Sequence, residues 1–548
     1  MTGRGQWWQE AVVYQIYPKS FYDSDGDGIG DLQGIIAKLD VLKLLGVDVL
    51  WLNPIYASPE VDNGYDISDY RAINPQFGTL ADFEQLLAEA HRRGLRVIMD
   101  LVVNHTSDQH PWFIASRQSK DNPYRGYYIW RDGRDGRAPN NWGGHFTQSA
   151  WSFDAATGQY YLHVFSPQQP DLNWENPAVR REVKELMAWW LERGIDGFRL
   201  DAINLIAKAP GLPDNQGAGD FVFAIDHFCN QPHFHTYMQE LHRDIFARQE
   251  MLTVGECADL TVADAIAISA PARGELNMAF LFEHTDYYNQ VGKDPQKLKE
   301  ILTRWQTGLH GRGWAGLAFN NHDQPRVVSC FGDDTTHRVA SAKLFATLLL
   351  TLEGTPFLLQ GEELGMTNVE YAAIEEYNDV QTVNLYRERV AAGGEPAAVF
   401  AAVKAASRDR SRSPYQWSAA PNAGFSTARP WLGVNPNYVE INLERELADP
   451  ASVFHYYRRL IALRKATPAL IYGEFVAQAA PAALFVYRRR DGDDEFEVAL
   501  NLSDQPVAYT AAGELLLGNY PAPEKTRLQP YEARVLRISN CQLLIANC

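Results

Sequence analysis

Short runs of β-branched and apolar residues recur along the chain and alternate with stretches in which apolar positions return every three or four residues. The runs fall at 12–18, 47–54, 96–105, 197–203, 252–256, 276–282, 314–323 and 355–361. Between them, 80–93 and 178–193 read as amphipathic helices; in the second, Val179, Val183, Met187 and Trp190 fall near helical spacing on one face. Eight strands alternating with helices predict an α/β fold with parallel pairing, closed into a (β/α)₈ barrel. An open doubly wound sheet is the alternative, and the strand count disfavours it.

Two regions break the alternation. After the third run, 105–172 is rich in Trp, Tyr, Gly, Asn and Pro and too long for an ordinary barrel loop, so it is expected to be an inserted subdomain. Beyond about residue 470 the helical pattern stops and short strand candidates follow at 474–477, 483–488, 495–501 and 534–538. The expected organisation is barrel 1–104, subdomain 105–172, barrel 173–470 and a C-terminal β-sandwich domain 471–548.

Composition narrows the partners. With 548 residues and 46% hydrophobic content the chain can bury a large core, and a net charge of −18 disfavours nucleic acid and acidic membranes. The N-terminal residues lack the basic and apolar segments of a signal peptide, and no apolar run approaches a membrane span. The five cysteines, Cys229, Cys257, Cys330, Cys541 and Cys548, are widely spaced and odd in number, which predicts reduced thiols and a cytoplasmic address; a Cys541–Cys548 disulfide is the alternative. A monomer or small homo-oligomer is expected.

Three carboxylates fall at the carboxyl ends of predicted strands, where barrels place their chemistry: Asp201, Glu256 and Asp323. Any one of them alone would read as a solvated loop residue. Together, with His105 and His322 beside them, they read as a site. The motifs Asp100-Leu-Val-Val-Asn104-His105, Gly197-Phe-Arg199-Leu-Asp201, Gly255-Glu256 and Asn321-His322-Asp323 occur in that order. On these, the chain resembles glycoside hydrolase family 13, the α-amylase superfamily. The segment Gln169-Pro170-Asp171-Leu172-Asn173 is similar to the marker of its oligo-1,6-glucosidase group.

The resemblance implies a retaining, exo-acting α-glucosidase for short sugars, with a small sugar as its partner. Asp201 would be the nucleophile, Glu256 the acid/base and Asp323 the stabiliser of the oxocarbenium-like transition state. Arg199 would orient Asp201, His105 and His322 would bond the same glucose, and Tyr65 would stack on it. Asp62 and Arg412 would close the pocket behind its 4-hydroxyl. Ala202, after the nucleophile, stands where Val goes with α-1,6 preference, which implies relaxed linkage. Tyr415 precedes Gln416-Trp417 where the group usually has Met.

The acidic loop 23–31 places oxygens at alternating positions in the manner of a Ca²⁺ loop, but Gly34 stands where an EF-hand needs its chelating Glu. The resemblance implies a structural Ca²⁺ on Asp23, Asp25, Asp27, the Ile29 carbonyl and Asp31. A solvated acidic turn is the alternative. Among related activities, trehalose-6-phosphate hydrolysis is disfavoured because 280–289 holds Glu283 and Asp286 but no Lys or Arg. Sucrose isomerisation is disfavoured because the associated Arg-Leu-Asp-Arg-Asp loop is missing. A sugar-binding module or a transporter-associated protein would not need all three acids.

Overall fold

The computed structural model describes residues 5–511 and 513–538. Eight parallel strands close into a barrel: β1 (Val13–Ile16), β2 (Val49–Leu52), β3 (Arg96–Val102), β4 (Gly197–Asp201), β5 (Leu252–Gly255), β6 (Met278–Phe280), β7 (Ala315–Leu317) and β8 (Thr355–Leu359). Both faces of these strands are covered, so they read as apolar runs instead of alternating patterns. The barrel helices follow the strands in order: α1 (Leu32–Leu45), α2 (Leu80–Arg92), α3 (Pro177–Leu191), α4 (His233–Asp244), α5 (Val262–Ser269), α6 (Pro295–Leu309), α7 (Arg338–Thr351) and α8 (Val453–Ala466). Reciprocal capping boxes, Thr79 with Asp82 and Thr261 with Asp264, set the starts of α2 and α5.

Strand register brings the chemistry together. Arg199 on β4 lies beside Asp100 on β3 and Val254 on β5, and Leu200 lies beside Gly255. Glu256, one residue past β5, therefore emerges next to Asp201. The approach of β4 to β5 requires glycine at its start: Gly197 has φ +149°, and a Cβ there would overlap the Leu252 carbonyl.

Residues after β3 form a three-stranded antiparallel sheet from Trp130–Arg131, Gln159–Leu162 and Trp151–Asp154. The neck of this insertion is zipped by the bridges His105–Asp171 and Tyr128–Leu172. The loop after β4 joins it, with Val222–Phe223 pairing in parallel with Trp142–Gly143. Trp142, Trp151 and Leu162 of the insertion share one apolar cluster with Ala202, Leu205 and Phe228. The subdomain is thus packed directly on the segment that carries the predicted nucleophile.

Past α8 the chain forms a five-stranded antiparallel sheet of β9 (Glu474–Ala477), β10 (Leu484–Asp491), β11 (Asp494–Asn501), β12 (Glu514–Gly518) and β13 (Ala533–Ile538), in the order β9-β10-β11-β13-β12. One face carries a short ribbon of Val507–Ala508 with Arg527–Leu528, and the other packs on α7 and the short helix Pro468–Tyr472. Covered from both sides, α7 is buried at every position from Ser341 to Thr351, which is why it shows no amphipathic stripe in the sequence. The strand expected over 314–323 is shorter: β7 ends at Leu317, and Asp323 lies in the loop beyond it, its N–H donated to Asn321 Oδ1 at 2.7 Å. Cys541, Cys548 and the tail 540–548 lie outside the described residues. No helix among the described residues is long and apolar enough to cross a membrane.

Candidate active site

At the carboxyl end of the barrel a cavity of about 920 Å³ opens between the insertion and the loops after β6, β7 and β8. Seven of the ten residues singled out in the sequence for catalysis or substrate line it: Asp62, Tyr65, His105, Asp201, Ala202, Glu256 and Asp323. Arg199, His322 and Arg412 lie behind its wall.

Arg199 is the centre of the floor. Its side chain is fully buried, beneath the rings of Trp51 and Tyr65 at 5.2 and 5.7 Å. Nη1 donates to Asp100 Oδ1 at 2.5 Å and to Asp201 Oδ1 at 2.7 Å, while Nη2 lies 2.6 Å from Glu256 Oε2. The other oxygen of Asp100 accepts from the Tyr65 hydroxyl at 2.9 Å and from Trp51 Nε1 at 3.2 Å. Glu256 Oε2 also accepts the Ala202 N–H at 3.1 Å. Ala202 takes the left-handed conformation, φ 42° and ψ 37°, as the chain turns sharply off β4.

Burial pushes the Asp201 carboxyl up to about 7 against the pull of Arg199, with Asp100 and Asp323 adding to the rise. Glu256 is pushed up to about 8, again by burial first, with Arg199 opposing and Asp201 and Asp323 reinforcing. Asp323 goes the other way. Burial alone would raise it, but His322, Arg412, Arg408 and Arg199 together hold it below the usual carboxylate range. The site therefore contains two carboxyls poised to keep or share a proton and a third that stays ionised.

Burial pushes both histidines below the ordinary imidazole range. His105 Nε2 donates to the Tyr65 carbonyl at 2.8 Å, and Nδ1 faces Asn104 Nδ2. His322 Nδ1 accepts from Gln15 Nε2 at 2.8 Å, and Nε2 lies 3.1 Å from Asp323 Oδ2. The His322 ring is stacked at 5.2 Å behind Tyr65, so it supports the floor instead of lining it.

Arg412, expected with Asp62 to reach the 4-hydroxyl and close the pocket, is not among the residues that line the cavity. Arg412 is 1% exposed and reaches the His322 carbonyl and Asp323 Oδ1, at 2.7 and 2.6 Å. Arg408 takes the wall position: Nη2 donates to Asp62 Oδ1 at 2.7 Å, and the same nitrogen lies 2.6 Å from Asp379 Oδ1. Gln169 Nε2 holds the other Asp62 oxygen at 3.0 Å. Ser407-Arg408-Asp409-Arg410-Ser411-Arg412 carries three arginines at alternate positions, and only the short turn Asp409–Arg412 decides which faces the cavity. Tyr415 fastens this segment to the barrel: its hydroxyl donates to Glu363 Oε1 at 2.6 Å, the oxygen that also accepts from Tyr14 on β1.

In the acidic loop, oxygens of Asp23, Asp25 and Asp27 lie within 4.8 Å of one another. Asp31 is engaged elsewhere. Its Oδ1 accepts from Gly34 N–H and the Ser24 hydroxyl, and its Oδ2 from Ser24 N–H, so it caps α1.

The family model for the α-amylase catalytic domain matches residues 15–473, and one for a domain of unknown function, DUF3459, matches 473–535. The chain is 51% identical to an oligo-1,6-glucosidase of Parageobacillus thermoglucosidasius over 97% of this chain and 99% of that one. It is 47% identical to an α-glucosidase of Pediococcus pentosaceus over 98% of this chain and all of the other. Among solved structures, trehalose-6-phosphate hydrolase of Bacillus licheniformis superposes with TM-score 0.91 at 44% identity, covering 98% of this chain and 100% of that one. Isomaltulose synthase of Klebsiella sp. LX3 superposes with TM-score 0.93 at 42% identity, with the same coverage. With the barrel, the acidic floor and these matches in agreement, the chain belongs to the α-amylase family of glycoside hydrolases, in its oligo-1,6-glucosidase and α-glucosidase group.

Proposed function

We propose that the protein is a retaining α-glucosidase that removes terminal glucose from disaccharides and short oligosaccharides, through α-1,4 or α-1,6 bonds or a sucrose linkage, with some transfer to acceptors other than water. The observation that carries this reading is the sharing of one buried guanidinium by Asp201 and Glu256. A single fork touching both favours the short carboxyl separation, about 5 Å, used in double displacement over the about 6.5–9.5 Å that leaves room for an attacking water.

Asp201, ionised beside Arg199, attacks the anomeric carbon, and the bond to the leaving oxygen breaks as Glu256 delivers its proton there. The resulting ester removes the negative charge that raised Glu256, so Glu256 then ionises more readily and accepts a proton from the incoming water. That water attacks the same carbon and restores Asp201. Asp323, held ionised by Arg412 and Arg408, balances the positive charge that develops on the sugar ring. The pair Asp62–Arg408 and Gln169 close the cavity behind Tyr65, which supports action on chain ends. Ala202 lines the cavity beside the nucleophile and leaves room for more than one linkage. Asp286 on the wall supports neutral over phosphorylated sugars.

We also propose a structural Ca²⁺ on Asp23, Asp25 and Asp27, with the Ile29 carbonyl as a further oxygen. The clustering of the three carboxylates supports it. Asp31 would act from outside, as the cap of α1. The free, buried thiols of Cys229, Cys257 and Cys330 support a cytoplasmic location.

Asp201→Asn should lower kcat on p-nitrophenyl α-glucoside by about 10⁴-fold, the scale of losing one member of a catalytic unit. The first sugar released from maltose by the wild type should be α-glucose, read by polarimetry or NMR; β-glucose first would overturn double displacement.

The pH profile tests the carboxyl pair. The proton of Glu256 is held through neutrality and lost as pH rises past about 8, while Asp201 gains a proton as pH falls below about 7. For maltose, kcat/KM should therefore fall on both sides of a maximum lying between the apparent constants of the coupled pair. A level profile from about pH 5 to about pH 9 would refute this assignment.

Ala202→Val should raise the ratio of isomaltose to maltose turnover by roughly 5- to 100-fold, the reach of a few methyl groups in a pocket. Because a β-branched residue is strained at φ 42°, the variant should also melt lower. An unchanged ratio would remove position 202 from linkage selection. Stripping the protein with a chelator should cost about 3 kcal/mol of stability relative to saturating Ca²⁺, seen as a lower melting temperature that Ca²⁺ restores. Equal melting with and without the ion would dispose of the metal.

A further inference from the structure

The two ends of the cavity differ in how their charges are met. At the closed end each acid has a basic partner: Asp62 pairs with Arg408, and Asp323 with Arg412 and Arg408. On the other side the wall is built by the loop after β6 and the helix Glu283–Val291, with Asp286, Asn289 and the largely exposed Val291 at the cavity. Because β6 is the barrel neighbour of β5, this wall stands beside Glu256, the group that hands a proton to the departing oxygen. On the α-glucosidase reading, the leaving group lies there.

Asp286 faces this space and forms no ion pair or side-chain hydrogen bond among the described residues. Basic side chains near it in sequence or space are committed elsewhere. Arg304 pairs with Glu283, which also accepts from Trp305 Nε1. Lys293 turns away, donating to the Gly332 carbonyl and the Tyr531 hydroxyl at 2.9 and 2.7 Å. Arg410, on the loop after β8, donates to the Ala405 carbonyl and lies 3.9 Å from Glu370. Asp286 reaches solvent, yet partial desolvation against the wall, with Asp259 and then Glu283 nearby, pushes it up to about 6, and at neutral pH it is largely ionised.

We propose that Asp286 selects the leaving group and the transfer acceptor by charge, favouring amino sugars and amino alcohols, which carry an ammonium group, over neutral counterparts, and neutral ones over anionic ones. This deepens the α-glucosidase reading and rests on it. The interaction is between a carboxylate in a water-filled cleft and a cation bound beside it, so it is of modest size and sensitive to salt. It involves no new bond-making: the ammonium alters only how well the leaving group or acceptor is held next to Glu256.

A charge series tests it: 2-aminoethyl, 2-hydroxyethyl and 2-carboxyethyl α-glucosides, assayed separately for kcat/KM with the wild type, Asp286→Asn and Asp286→Lys. The intrinsic reactivities of the three leaving groups differ, and comparing each ratio between proteins cancels that difference. The ratio of aminoethyl to hydroxyethyl glucoside should be roughly three- to tenfold higher in the wild type than in Asp286→Asn. In Asp286→Lys the carboxyethyl glucoside should gain relative to the neutral one by a similar factor. In the wild type, raising ionic strength from about 0.02 M to about 0.5 M should remove most of the excess. Equal ratios in wild type and Asp286→Asn would overturn the proposal, as would a wild-type ratio indifferent to salt, a measurement that needs no variant to fold. Hydrolysis of the neutral glucoside by the wild type reports separately on the α-glucosidase reading.

Discussion

One buried guanidinium faces three carboxyls, and the site follows from that mismatch. Arg199 brings a single positive charge to Asp100, Asp201 and Glu256, in a floor backed by Trp51 and Tyr65. Three buried negative charges cannot be balanced by one positive one, so a proton must remain in the cluster. Its location follows from the hydrogen bonds. Asp100 has Tyr65 and Trp51 in addition to Arg199, and Asp201 shares the same Nη1 at hydrogen-bonding geometry. Glu256 meets Nη2 and the Ala202 N–H, yet it is pushed up furthest, to about 8 against about 7 for Asp201. The residue left holding the proton is therefore the one proposed to donate it. Asp323 is spared this competition because its own cations come from a different loop.

The constellation is assembled by strand register more than by loop design. Arg199 and Asp201 share a face of β4 because side chains two apart do so. Parallel pairing with β3 and β5 then sets Asp100 beside Arg199 and delivers Glu256 opposite Asp201. Gly197 permits this by letting the Leu252 carbonyl approach where any side chain would collide. The insertion is packed on Ala202 and Leu205, so the subdomain that walls the cavity is braced against the turn that presents Asp201, the proposed nucleophile.

This explains what could be read in the chain and what could not. Barrel strands are apolar runs ending in polar groups, so all eight strands and the three acids at their ends were legible, and the motifs tied them to one site. Asp323 was legible as a residue but not as a loop position, because the apolar stretch 314–319 continues past the end of the hydrogen-bonded ladder at Leu317. The choice between Arg408 and Arg412 was not legible: it turns on the phase of one four-residue helix, fixed by tertiary contacts such as Asp379 and Tyr415. Asp31 fits an oxygen-rich loop in sequence, yet its carboxylate faces the N-terminus of α1, whose unpaired N–H groups compete for the same oxygens. His322 belongs to a motif beside an acid and still lies behind the wall, because stacking on Tyr65 is a property of the folded barrel alone.

The departure at Tyr415 shows how the closed end is kept rigid. Its hydroxyl and that of Tyr14 meet on one oxygen of Glu363, tying the segment that carries Arg408 and Arg412 to the first barrel strand through a fully buried carboxyl. Breaking such a buried bond would leave a polar atom without water or partner, which costs more than the bond itself contributes. The arginines are thereby fixed before a sugar arrives, and the glucose meets a preorganised set of charges. No comparable network grips the wall around Asp286, where Asn289 bonds Gln324 at the surface and Val291 stands in solvent. An enzyme that recognises one glucose but accepts several partners for it needs this division: charges locked in pairs where the ring is read, and an open, singly charged face where the rest of the substrate leaves.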